Sequence, residues 1–498
     1  MNHKQILTLQ RHHVLTGIPA QLSTRRDQLH RLQRLINEEQ DLLCDAVYKD
    51  LRRTQPHTKF LEINMALNEI SVCLQHLNEW AKPEYVEKGP AQILDSAMVI
   101  KDPYGCCLLI APWNYPLLMV FLPLATMLAA GNTVVIKPSE VSPNVAEALQ
   151  AAFTKHFDPK QVAVVLADVK GTQELLKERF DLILYTGSTA VGRVIMKAAA
   201  EHLTPVVLEL GGKCPVIIDN TADLAVTAKR IAWGKFMNNG QTCVAPDYAI
   251  ISKAQKPQFI NELKKALTEF YPDITASKDY CRIISPRHFD RLINLLDKSQ
   301  GNVGIQMAQP NKEDLFIPPT VVEVNPEDSL MEEEIFGPIL PILTVNSTEE
   351  ALEYLAEGEK PLALYLFSRD EKLVDKVVND TRSGAVTVND VVLHMCVDTL
   401  PFGGVGQSGI GRYRHRYGFD QFSHHKAVLK RGFFGEQLGA ARYPPLTKQK
   451  LKAVELVGTR IILPRIIRRL FANADVFFLG IGIAIVLGLF GQFMFGRA

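Results

Sequence analysis

From residue 98 onward, short apolar runs alternate with segments of helical period, and no other feature constrains the fold as strongly. Residues 106–110 (Cys-Cys-Leu-Leu-Ile) and 133–136 (Thr-Val-Val-Ile) read as strands covered on both faces. Between them, 117–130 reads as an apolar helix opened by Pro116 and stopped by Gly131. Strands at 162–165 and 182–184 continue the series, with helices between. Strands that alternate with helices predict a parallel, doubly wound α/β sheet. A second series starts after Glu209, with strands at 216–218, 248–251 and 363–367 and helices near 224–237, 257–270 and 348–355. Two doubly wound parallel-sheet domains are therefore expected, one from 1–84 and 101–209 and one from 210–415. The stretch 20–80 is helical by period, through Leu29, Leu32, Leu35 and Ile36 and again through Leu61, Ile63, Leu67 and Ile70. Two short strand-like pieces, 85–100 and 416–435, are expected to pair into a small β-strand oligomerisation arm.

Three strand ends carry polar groups suited to ligands. In Pro112-Trp113-Asn114-Tyr115-Pro116, the Asn114 amide can donate to an oxyanion or cap the following helix. In Val135-Ile136-Lys137-Pro138-Ser139-Glu140, Lys137 and Glu140 fall where parallel sheets bind ligands. They could hold a phosphate or ribose, or form a plain surface pair. The turn Thr186-Gly187-Ser188-Thr189-Ala190-Val191-Gly192 joins a strand to a helix, the geometry that points amide hydrogens at a phosphate. Its G-x-x-x-x-G spacing departs from the usual dinucleotide fingerprint, so a simple strand-to-helix turn stays open.

Two more runs carry the chemistry. Val206-Val207-Leu208-Glu209-Leu210-Gly211-Gly212-Lys213 places a carboxylate at the end of an apolar strand, where burial should raise its pKa toward that of a useful base. Asn238-Asn239-Gly240-Gln241-Thr242-Cys243-Val244-Ala245-Pro246 places a thiol in a loop. A lone loop Cys is more often inert than nucleophilic, so Cys243 needs its neighbours to make the case.

The bulk numbers exclude other classes. A formal net charge of +1 gives no general attraction to nucleic acid. The eight cysteines are scattered without C-x-x-C pairs, which argues against a disulfide framework and a metal site. The N-terminal Met1-Asn2-His3-Lys4-Gln5 lacks the apolar core of a secretory signal. Residues 476–495 form an uncharged apolar run, and a helix of that length spans about 30 Å. A C-terminal transmembrane helix acting as a tail anchor is expected there. A basic amphipathic juxtamembrane segment, 436–475, precedes it. The positive-inside rule then puts the catalytic body in the cytosol and gives the bilayer as a partner. The endoplasmic reticulum membrane is the expected site, with the peroxisomal and mitochondrial outer membranes as alternatives.

Taken in order, Pro-Trp-Asn-Tyr-Pro, Lys-Pro-Ser-Glu, Thr-Gly-Ser-Thr-Ala-Val-Gly, Glu-Leu-Gly-Gly-Lys, Gly-Gln-Thr-Cys, Glu-Ile-Phe-Gly-Pro and Leu-Pro-Phe-Gly-Gly-Val-Gly resemble the aldehyde dehydrogenase superfamily over about residues 10 to 435. The runs 239–248 and 409–413 are similar to its class 3 branch, and the apolar tail to that branch's membrane-bound fatty aldehyde dehydrogenases. The resemblance implies a Rossmann-like NAD-binding domain, a catalytic domain and a homodimer. It implies Cys243 as nucleophile, Asn114 as oxyanion donor and Glu209 as general base. It assigns Lys137 and Glu140 to the adenosine ribose, and Thr186, Gly187, Ser188 and Gly192 to the turn over the diphosphate. Glu334 would contact the nicotinamide ribose, and Phe336 would pack beside the nicotinamide. One departure is Cys281, where the branch usually has Gly; it puts that turn's geometry in question.

The reaction so implied is NAD-dependent oxidation of medium- to long-chain aliphatic aldehydes to acids. A thiohemiacetal on Cys243 becomes a thioester, which Glu209-activated water hydrolyses; Glu334 is a possible substitute base. Glu140 would repel a 2′-phosphate, so NAD is favoured and NADP is the lesser option. Competing readings are an acylating enzyme that uses coenzyme A, a cysteine hydrolase and an inactive membrane scaffold. Glu209 argues against the first, the nucleotide contacts against the second and the intact Cys243, Asn114 and Glu209 against the third.

Overall fold

In this computed structural model, residues 1–89, 92, 95–434 and 436–458 are described. Sixteen strands are found among them. In chain order, β1 (Glu84–Tyr85) and β2 (Ser96–Pro103) come first. They are followed by β3 (Cys106–Ile110), β4 (Thr133–Lys137), β5 (Val162–Val164), β6 (Leu182–Thr186) and β7 (Val206–Glu209). The second series is β8 (Pro215–Ile218), β9 (Tyr248–Ser252), β10 (Asn302–Gln306), β11 (Thr320–Val324), β12 (Ile339–Val345), β13 (Ala363–Phe367) and β14 (Ala385–Val388). The last two are β15 (Gly409–Ile410) and β16 (Ser423–Lys430).

The first sheet has the order β15-β7-β6-β3-β4-β5. The chain winds outward from β3 to β5, then crosses to the other side of β3 to lay down β6 and β7. The strand order therefore reverses between β3 and β6, and doubly wound sheets bind ligands outside such a switch point, at the carboxyl ends of the strands. The register lines those ends up: Lys137 pairs with Ile110, Ile110 with Tyr185, and Thr186 with Glu209. Every residue of β3 and β4 is buried, as strands covered on both faces require. The helix Leu118–Ala130 packs as a wholly buried element and stops at Gly131, whose φ of +95° suits glycine.

The second sheet has the order β10-β11-β12-β9-β8-β13-β14, with Ile217, Ile250, Ile339, Leu343 and Leu364 in its core. Each large sheet carries one antiparallel edge: β15 on β7 and β10 on β11. Both sheets belong to one compact unit, 1–80 and 103–423; the described residues of 81–102 and 424–458 form a second unit. That second unit holds most of a three-stranded sheet, β1-β2-β16, and the helix Lys448–Gly458.

The α/β fold with two doubly wound sheets is as expected, and the expected transmembrane helix is corrected. Among the described residues, no helix is long and apolar enough to cross a membrane. The apolar run at 476–495 lies outside the described residues, and the bilayer as a partner through a C-terminal helix has no support.

Candidate active site

The Cys243 loop is held in an unusual backbone path. After the helix Leu224–Phe236, Asn238 (φ 51°), Asn239 (φ 55°) and Gly240 (φ 72°) lie consecutively in the left-handed region. Asn tolerates this region better than most residues. Position 240 admits only glycine, because a Cβ there would lie 2.2 Å from the Gly337 carbonyl oxygen. Gln241 fixes the loop by donating to the Asn238 and Arg282 carbonyls and accepting the Ile284 N–H, all within 3.1 Å. The Asn239 amide donates to the Cys281 carbonyl at 3.0 Å. Cys281 is buried and outside the left-handed region, so the turn there has no need of glycine.

Asn114, on the loop after β3, donates its side-chain amide to the Gln241 carbonyl at 3.0 Å. It does not cap the next helix. The two amides at that helix start, Leu117 and Leu118, donate instead to Glu62 at 2.8 Å. Asn114 is thus tied to the cysteine loop, which removes the capping alternative.

Asn114, Thr186, Gly187, Ser188, Glu209, Cys243, Glu334 and Phe336 line one cavity of about 540 Å³. Glu209 ends β7 with both carboxylate oxygens buried and without a protein partner. Burial pushes its pKa well above the ordinary carboxylate value. Glu334 accepts the Gly212 N–H, yet burial raises it to about 8. Burial also raises the Cys243 thiol, with Glu334 and Glu209 adding to the shift. The resting sulfur is therefore a thiol, and the two carboxyls that share its cavity are pushed toward their protonated forms as well.

The Glu334 loop is held by two cationic residues, Lys213 and Arg291. Lys213 donates to Asp247 at 2.6 Å and to the Leu330 and Glu333 carbonyls at 2.8 and 2.9 Å. Asp247 in turn accepts the Ile335 N–H at 3.1 Å. Arg291 also bonds to the Glu333 side chain at 2.8 Å and to the Ile335 carbonyl. Phe336 sits at φ 51°, a strained position for an aromatic residue, with its ring edge-on to Trp113 at 5.3 Å. His288 also packs edge-on to Trp113, at 4.9 Å, and burial lowers it to about 4, so it is neutral.

The remaining expected residues divide. Ser188 caps the helix Thr189–Ala200, whose N-terminus faces the cavity. Gly187 and Gly192 serve internal packing: a Cβ on Gly187 would lie 2.2 Å from the Tyr185 hydroxyl, and one on Gly192 would lie 2.7 Å from Leu210. Gly192, Lys137 and Glu140 are not in the cavity wall. Lys137 and Glu140 form an ion pair at the carboxyl end of β4, with Lys137 buried and Glu140 open to solvent. A dinucleotide fits this arrangement. The helix N-terminus and the buried, partnerless Thr186 hydroxyl offer donors at the switch point, and Lys137 with Glu140 stands at the carboxyl end of β4, on the far side of β3 from β6.

Sequence reading gave no role to Tyr115, Lys213, Asp247, His288 and Arg291. Tyr115 shares a 2.8 Å hydrogen bond with Thr242, next to the nucleophile candidate. Tyr115, Lys213 and Asp247 lay inside quoted runs without a role; His288 and Arg291 carry no local signal.

Residues 19–428 match the family described as Aldehyde dehydrogenase family. The chain is 45% identical over 432 residues to the mouse (Mus musculus) "Aldehyde dehydrogenase, dimeric NADP-preferring", covering 86% of this chain and 95% of that protein. It is 43% identical to mouse "Aldehyde dehydrogenase family 3 member A2" over 90% of this chain and 92% of that protein. A solved structure, the substrate-bound state of Staphylococcus aureus AldH, superposes with a TM-score of 0.89 at 38% identity, over 92% of this chain and 99% of that one. With the cysteine, the two carboxyls and the asparagine around one cavity, the chain belongs to the aldehyde dehydrogenase family and oxidises aldehydes.

Proposed function

We propose that this enzyme oxidises medium- to long-chain aliphatic aldehydes to carboxylic acids by covalent catalysis on Cys243, followed by hydrolysis. The observation that carries the reading is the shared cavity: Cys243, Asn114 and Glu209 line it together with an apolar wall that includes Phe60, Leu61, Met65, Leu118, Met119 and Phe402. Such a wall stabilises an alkyl chain by about 0.8 kcal/mol per buried methylene.

In this reading, Cys243 passes its proton to a carboxyl and its sulfur bonds to the aldehyde carbon. The second N–H of the Asn114 amide donates to the oxyanion that forms. Enzymes of this family use a nicotinamide dinucleotide, which, when bound, accepts the hydride. Glu209 then takes a proton from water as that water attacks the thioester, and the acid leaves as Cys243 regains its thiol. A partnerless carboxylate beside the sulfur favours hydrolysis over transfer to coenzyme A. Lys137, Glu140, Thr186 and Ser188 are the groups that would hold the dinucleotide.

Glu140 supports a preference for NAD, since its carboxylate opposes a 2′-phosphate. Its ion pair with Lys137 weakens that opposition, so NADP is the second cofactor. A homodimer is proposed from β16, an edge strand of the three-stranded sheet, and from the word "dimeric" in a relative's name.

The test is NADH formation with a series of linear aldehydes from six to sixteen carbons, by wild type and Cys243→Ala. The reading expects kcat/KM to rise by about fourfold per methylene until the cavity fills, and Cys243→Ala to be inactive. A flat chain-length profile would remove the substrate assignment, and turnover by Cys243→Ala would remove the mechanism.

A further inference from the structure

Arg53 and Glu62 are fully buried and ion-paired, and neither lines the cavity. A buried ion pair is weak evidence for stability, because desolvation offsets most of its attraction and apolar residues often serve as well. What this pair touches is more informative. Arg53 donates to the Asn114 carbonyl and to the Asn238 side-chain oxygen, both at 3.2 Å. Its guanidinium lies 5.1 Å from the centre of the Tyr115 ring. Glu62 accepts the Leu117 and Leu118 amides at 2.8 Å. The pair therefore grips the segment 114–118 at both ends.

It also closes a ring of hydrogen bonds with the cysteine loop. Asn238 donates to the Asn114 carbonyl at 3.0 Å and to the Gln241 carbonyl at 3.1 Å. Asn114 donates to the same Gln241 carbonyl at 3.0 Å. Arg53 touches both ends of that ring. Asn238 holds a left-handed backbone that the ring over-determines. Cys243 is two residues beyond Gln241.

We propose that Arg53 and Glu62 are positioning residues that hold the Asn114 amide in register with the Cys243 loop, so that its free N–H meets the developing oxyanion. This rests on the oxyanion reading of Asn114 given above. Neither residue touches substrate; both act through Asn114. A shift of about 1 Å in such a donor costs up to about a hundredfold in rate.

A double-mutant cycle on the full chain tests the proposal. The apolar pair Arg53→Met with Glu62→Leu is placed in wild-type and Asn114→Ala backgrounds, and kcat, KM and Tm are measured with hexanal and NAD+. Asn114→Ala is expected to lower kcat about a hundredfold. The apolar pair is expected to lower kcat about tenfold, leave KM within about twofold and keep a single cooperative melt, since no buried charge is left uncompensated. In the Asn114→Ala background it should cost less than about twofold more, because effects that pass through one group do not multiply. Full multiplication of the two effects, or wild-type kcat in the apolar pair, overturns the proposal while leaving the oxyanion reading intact. Wild-type kcat in Asn114→Ala sinks the oxyanion reading itself, and the proposal with it. If the apolar pair does not fold, Arg53→Lys, which keeps the charge but loses the fork, supplies the same cycle. Failure of both to fold assigns the pair to stability alone and overturns the proposal.

Discussion

Gly211 sits directly against Glu334: a Cβ at position 211 would lie 1.9 Å from the Glu334 carboxylate oxygen. The glycine pair after β7 therefore makes room for a side chain from a distant loop, and Gly212 supplies that side chain with an N–H. Gly211→Ala should displace the Glu334 carboxylate and little else, because the obstructing atoms are the end of a flexible side chain. The expected outcome is a fall of about tenfold in kcat/KM with a stability change under about 1 kcal/mol. Steady-state kinetics and a melting curve decide it; unchanged kcat/KM would mean that Glu334's placement is irrelevant to turnover.

Glu209 makes an opposite trade between stability and activity. Its folded pKa is raised by burial, so the folded state binds a proton more tightly than the unfolded chain does. Stability from this group is fully present below the ordinary carboxylate pKa and is lost as pH rises toward the folded value. Glu209→Gln should melt at or above wild type at pH 8, by about 1–3 kcal/mol, the cost of a buried unsatisfied group, and the gain should vanish near pH 4. Its steady-state rate should fall at least about a hundredfold, with a burst of NADH before it as the thioester accumulates. In wild type, the rate of the hydrolytic step should climb with pH through the raised pKa. A burst-free loss of activity would place Glu209 before hydrolysis instead.

The residues proposed to carry the chemistry were legible in the sequence as polar groups at strand ends. Asn114, Thr186 and Glu209 follow apolar runs at a sheet's carboxyl edge, and the register brings the ends together. Cys243 was legible only beside them. The braces were not, because each joins positions far apart in the chain: Arg53 with Asn238, Lys213 with Leu330, Arg291 with Ile335. Strand β12 was missed for a physical reason. It lies between β11 and β9 yet contains Pro341, and proline is a signal against an interior strand. Strand β10 was missed because it is mostly exposed and lacks an apolar run. The apolar run at 476–495 was the strongest local signal in the chain, yet a long apolar stretch is read from its length alone, with no second position to check it against.

Lys213 carries the clearest prediction for the braces. It ties Asp247, Leu330 and Glu333 together and so holds the strand of chain that presents Glu334 and Phe336. Lys213→Met keeps the aliphatic stem and removes three donated bonds, leaving the Asp247 carboxylate without its main partner. A loss of about 1–3 kcal/mol in stability is expected, together with a rise in KM for the dinucleotide that exceeds the rise for the aldehyde. Equal changes in both constants would show that the brace has no bias toward the cofactor side.

Glu140 governs the choice between the two dinucleotides in the proposed reading, and its exposure allows a clean substitution. Its carboxylate is paired with Lys137, so the charge felt by a 2′-phosphate is reduced but not cancelled. Glu140→Gln keeps the shape, removes the charge and frees Lys137 to meet the phosphate. The ratio of kcat/KM for NADP+ over NAD+ should rise by about tenfold, roughly 1.4 kcal/mol. The gain should shrink as salt is raised from 0.05 to about 0.5 M, because the interaction is between partly exposed charges that ions screen. Melting temperature should fall, because Lys137 is buried and the substitution removes its ionic partner. A ratio that does not move would place the 2′-position away from Glu140 and shift the selectivity to residues beyond the end of β4.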